Sequence, residues 1–134
     1  MPVYDYLFLL DSDTAFTTAA VSGGAADFGV AYPDVQAAGQ FGMHVIVTTT
    51  FTSLTEGVRL IIVHSAADDL STSSEEHTSM FVPVTELAKG AHFFIPLGNR
   101  RLLRYACGLW KPVSTSGASG KITWYFGDRE PLSR

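Results

Sequence analysis

Short apolar runs with a two-residue alternation recur along the chain, separated by Gly, Ser, Thr and acidic residues. Residues 43–51 (MHVIVTTTF) are rich in β-branched side chains. As a strand they place Met43, Val45, Val47, Thr49 and Phe51 on one face and His44, Ile46, Thr48 and Thr50 on the other. Residues 59–64 (RLIIVH) form an almost continuous apolar run bounded by Glu56-Gly57 and Ser65. Runs at 78–84, 92–97, 102–109 and 122–126 read the same way, and 4–10 and 28–32 add two weaker segments near the start. That makes about eight strands at short, even spacing, the pattern of a sandwich or barrel.

Helix signals are sparse. Residues 14–21 (TAFTTAAV) offer a turn or two before Gly23-Gly24, and 84–91 (VTELAKGA) one turn from Thr85, stopped by Gly90. Runs such as LIIV and HFFI are apolar on both faces, as in parallel sheets, but the chain lacks the crossover helices that parallel strands need. An antiparallel all-β fold is therefore expected, with both sheet faces covered by loops or by a partner chain. The runs LLRYACGLW (102–110) and KITWYF (121–126), joined by a Gly/Ser/Thr turn, are expected to be neighbouring antiparallel strands. Residues 65–79 are expected as a long, solvated, mobile loop. One domain spanning 1–134 is expected, with an extended N-terminal segment over 1–20 and a short loose tail over 127–134.

Composition narrows the function. The chain has 134 residues, 46% apolar and 16% charged, with a formal charge of −4. The one basic clump, Arg100, Arg101 and Arg104, sits beside Leu and Tyr, so nucleic acid is not an expected partner. No apolar run approaches the ~20 residues that span a bilayer, and no signal-peptide pattern opens the chain, so no membrane partner is expected. The single cysteine, Cys107, allows no intramolecular disulfide, which suits folding in a reducing cytoplasm.

Candidate chemistry does not assemble from the sequence. His44, His64, His77 and His92 show no paired metal-ligand spacing. Asp11-Ser12-Asp13 resembles the opening of a calcium loop without its downstream Gly and Glu. Asp68, Asp69, Glu75 and Glu76 would hold a divalent cation only if their loop folds back, and otherwise keep it in water. Cys107 lies in an apolar run where burial makes a thiol inert, no G-x-S-x-G elbow occurs, and the Gly-rich turns lack the Lys-Ser/Thr of a phosphate loop. The expectation is a non-enzyme with no cofactor, no metal and no small-molecule substrate.

What stands out is contact chemistry. In 121–126, Ile122, Trp124 and Phe126 share a core face, leaving Tyr125 outward beside Lys121. In 102–107, Arg104 and Tyr105 lie on alternate faces. Outward Tyr and Arg on a rigid strand are typical interface anchors. The candidate contact residues are Arg100, Arg101, Arg104, Tyr105, Trp110 and Tyr125, with Asp68, Asp69, Glu75 and Glu76 as an acidic counterpart. The two charged groups have opposite signs and suit contact across a dimer, or with separate parts of a larger surface.

The segment DSDTAFTTAAVSGGAADFG (11–29), the strand at 60–65 followed by an Asp-Asp loop, the block FVPVTELAKGAHFFIPL (81–97), LLRYACGL and SGKITWYF (119–126) together resemble the cement, or capsid-decorating, proteins of tailed bacteriophages. The resemblance runs nearly end to end on strand and turn patterns. It implies an antiparallel jelly-roll β-sandwich that self-associates as a homodimer or trimer. It also implies a position on the capsid exterior, bridging the major capsid proteins of the same phage, after synthesis in the bacterial host cytoplasm or from a prophage. A carbohydrate- or receptor-binding jelly roll of a phage tail or host-attachment structure is the alternative, with Trp110, Tyr125 or Tyr105 as its stacking platform.

Overall fold

The alternating runs become nine strands in a computed structural model, which describes residues 9–15, 20–27, 41–52, 56–67, 69–70, 74–97, 103–113 and 119–128. They are β1 (Leu9–Ala15), β2 (Ala20–Val21), β3 (Ala26–Asp27), β4 (Phe41–Thr52), β5 (Gly57–Ser65), β6 (Glu75–Pro83), β7 (His92–Pro96), β8 (Tyr105–Pro112) and β9 (Ser119–Asp128). One sheet has the order β1-β9-β4-β7. The other runs β2-β8-β5-β6, with β3 also on β8. Ala20 and Val21 face Trp110 and Leu109, while Ala26 and Asp27 face Ala106 and Tyr105, so β2 and β3 are two pieces of one interrupted strand. Counted that way, each sheet has four strands and every pairing among the described residues is antiparallel. Among the described strands, only β5 and β6 are consecutive partners; otherwise successive strands lie in opposite sheets. This is the eight-stranded jelly roll.

Inward side chains of both sheets make the core. Trp124, Phe126, Met43 and Val45 come from the first sheet, and Trp110, Leu60 and Ile62 from the second; all are 0% exposed. Phe51 stacks on Trp110 with ring centroids 4.7 Å apart. β5 is buried on both faces within the single chain, Arg59 excepted. Residues after Pro83 make one 3-10 turn, Val84–Glu86, which delivers Leu87 into the core. Gly90, at φ +95°, closes the loop back onto β4 through its N–H to the Val47 carbonyl.

Several expectations change. β8 and β9 are not neighbours: they belong to different sheets and meet face to face, with Gly108 of β8 against the Trp124 ring of β9. β8 instead pairs along its length with β5, and β9 with β4. Residues 14–15 and 20–21 are strand, not helix, as their β-branched and small residues permit. The expected loop at 65–79 is shorter, since Ser65 ends β5 and 75–79 begin β6, with His77 fully buried. Gly127 and Asp128 are not tail but strand, opposite Gly42 and Phe41. The N-terminal strand runs Leu9–Ala15 and pairs with β9 of its own chain. The expected strand at 28–32 lies outside the described residues. No helix among the described residues is long and apolar enough to cross a membrane.

Candidate functional site

The accessible contact candidates gather at one end of the second sheet. Tyr105 opens β8 opposite Ser65 of β5 and Asp27 of β3, and is half-buried. Arg104, just before it, donates from Nε to Asp27 Oδ1 at 2.7 Å and from Nη2 to Oδ2 at 3.1 Å. Its guanidinium carbon lies 4.9 Å from the Tyr105 ring centroid. This two-point bond, with the Asp27 charge, holds the guanidinium pKa above its ordinary value. Arg104 is therefore engaged within its own chain.

Glu75 and Glu76 begin β6, exposed, opposite His64 and Val63. Glu76 Oε1 stands 3.8 Å from Arg59 Nη2, which also donates to Ser79 Oγ at 2.8 Å. Asp69 is exposed on the rim of a recess of about 190 Å³ lined also by residues 21–25, Leu70 and Cys107. Arg100, Arg101 and Asp68 lie outside the described residues.

Trp110 and Tyr125 are corrections. Trp110 is 0% exposed on the inner face of β8, where the alternation that puts Gly108 against Trp124 also points it. Tyr125 does face away from the inter-sheet core, yet it is only 1% exposed. Its ring stacks on His44 of β4, centroids 4.8 Å apart and planes within 12°. Outward on a strand is not the same as solvent-facing. Neither ring is placed to serve as a surface anchor or a stacking platform for sugar; of the three rings in the carbohydrate reading, only Tyr105 is accessible.

The histidines form two pairs. His44 Nδ1 and His92 Nε2 are 2.8 Å apart on the outer face of the first sheet. Burial of part of the His92 ring pushes its pKa down. The rings of His64 and His77 meet edge to face at 5.0 Å, and the Leu103 N–H donates to His64 Nδ1 at 3.1 Å. Among the described residues no three His, Cys, Asp or Glu side chains cluster closely enough to hold a metal ion. The calcium-loop-like opening is a tether instead. Asp11 accepts from the Gly23 N–H and from Trp124 Nε1 at 2.9 Å, while Asp13 Oδ1 accepts from Thr48 Oγ at 2.6 Å. Cys107 is buried, and desolvation pushes its thiol pKa up against the opposing hydrogen bond from Ser22.

A second feature of the same sheet was not singled out from the sequence. Phe81 of β6 and Val113 just after β8 are 50% and 48% exposed, the two large hydrophobic side chains so exposed among the described residues. The alternation of buried Val82 with Phe81 in the run at 78–84 carried the signal. Compared with known proteins, the chain matches no family model and no curated sequence.

Proposed function

We propose that this protein is a structural virion component that binds the outside of an icosahedral phage capsid and cements neighbouring major capsid proteins, stabilising the DNA-filled head. One observation carries the reading. Arg104, Tyr105, Asp69, Glu75 and Glu76 stand together at one end of a sheet, most of them on or beside paired strands, so the surface is presented with little ordering left to lose on contact. The jelly-roll order of strands fits the resemblance to phage cement proteins read from the sequence. Many copies of a modest contact, repeated by capsid symmetry, stabilise a shell by mass action without any one contact being tight.

Co-sedimentation tests this directly. The protein is expected to pellet with assembled, expanded heads and to stay in the supernatant with unassembled capsid subunits. Equal partition in both experiments contradicts the reading. Binding to cell-surface glycans with none to heads would favour a host-attachment role.

A further inference from the structure

The His44–His92 pair has what the His64–His77 pair lacks, a ring open to water. His44 Nδ1 and His92 Nε2 stand 2.8 Å apart, and His92 is exposed. His64 and His77 are both buried, their rings meet edge to face, and His64 Nδ1 accepts the Leu103 N–H.

Register creates the exposed pair. Between β4 and β7, His44 lies opposite Phe94 and Ile46 opposite His92, so the two histidines are diagonal neighbours on the outer face of the first sheet. On the other side of β4, Tyr125 of β9 lies opposite His44. The His44 ring is thus flanked by Phe94 and Tyr125, with centroids 4.8 Å away in each case and the Tyr125 ring nearly parallel. One imidazole is fixed between two aromatic rings. The second stands exposed at the start of β7, where side-chain turning is fast.

Two imidazole nitrogens held side by side chelate late first-row divalent metals, and suit Mg2+ or Ca2+ poorly because those ions take oxygen ligands. With metal–nitrogen bonds of ~2.0–2.1 Å, cis nitrogens lie ~2.9 Å apart at a right angle and ~3.3 Å apart at the tetrahedral angle. The 2.8 Å separation is closer to the right-angled case, the tetragonal geometry of Cu2+ and Ni2+, than to tetrahedral Zn2+. Cu2+ also binds tightest in the series. Each nitrogen must offer a lone pair. The one carrying the shared hydrogen passes it, through water, to the other nitrogen of its own ring, a change of tautomer with no net proton lost. Partial burial holds the His92 pKa below its ordinary value, which keeps that ring neutral at neutral pH. No third His, Cys, Asp or Glu joins the pair among the described residues, so water completes the shell from the exposed side.

We propose that His44 Nδ1 and His92 Nε2 form a two-histidine site for a late divalent transition metal, Cu2+ ahead of Ni2+ and Zn2+, with water in the remaining positions. The site lies on the sheet that does not carry Tyr105, and it is independent of capsid binding.

The test is calorimetric titration of the full, untagged chain with Cu2+ at neutral pH, with pulsed EPR of the copper-loaded protein to count coordinated imidazoles. The parent is expected to bind one Cu2+ per chain through two imidazoles, with no displacement by excess Mg2+ or Ca2+. H92N replaces an exposed ring, and a thermal melt verifies its fold. It should bind Cu2+ at least ~10-fold more weakly and lose the two-imidazole signal. A measurement on the parent alone gives the same answer: copper should broaden the NMR resonances of His44, His92, Phe94 and Tyr125 first.

No Cu2+ binding by the parent, fewer than two coordinated imidazoles, or broadening centred elsewhere overturns the site. Equal affinity in H92N assigns the copper to other groups and overturns it as well.

Discussion

The Asp11 carboxylate, on β1, accepts the indole N–H of Trp124 from the neighbouring strand and the backbone N–H of Gly23 from the opposite sheet. Trp124 is 0% exposed, so a substitution removes an acceptor that water cannot simply replace. Asp11→Ala is expected to lower the unfolding free energy by about 1–3 kcal/mol in urea titrations. The His44–His92 pair predicts a different response. Two ring nitrogens 2.8 Å apart share one proton, and a second would set two N–H groups head to head. The His92 pKa is lowered on folding, so its contribution is fully present above the unfolded value, ~6.5, and is lost as pH falls through the folded value. Unfolding midpoints should therefore fall between pH 7 and 5 in the parent chain and fall less in His92→Asn; parallel slopes would contradict the burial-lowered His92 pKa.

At the scale of elements, β8 and β9 illustrate what packs the sandwich. Gly108 leaves room for the six-membered ring of Trp124, and a Cβ there would lie 2.6 Å from Cζ3. Gly108→Ala must push the ring or the sheet aside, at an expected cost of about 1–3 kcal/mol, measured by urea unfolding. Strand positions and inward faces were legible from alternation: Ile122, Trp124 and Phe126 are inward, as are Met43, Val45 and Val47. Pairing was not legible, because two adjacent runs make a hairpin or face each other across a core according to contacts far away in sequence. Solvent exposure was not legible either, since alternation reports which side Tyr125 takes and not what covers that side. The exposed or half-buried residues of the proposed contact surface, Arg104, Tyr105, Glu75, Glu76 and Asp69, were singled out by residue type. The exposure of Phe81 and Val113 was missed, because an apolar residue at a strand end reads as core until its neighbours are known.

For the whole molecule, the jelly roll supplies a stiff slab of two four-stranded antiparallel sheets. A slab of that kind suits a role in which position and repetition matter more than the strength of a single contact. The formal charge of −4 adds long-range repulsion from DNA, which fits a place outside the shell. The central claim is that binding cements, and the most direct measurement is the temperature at which DNA-filled heads release their DNA. Heads assembled without this protein would be heated with a DNA-binding dye, with and without purified protein added back. The account predicts that the release temperature rises with occupancy and levels off when the surface is full. A release temperature unchanged at full occupancy would contradict it.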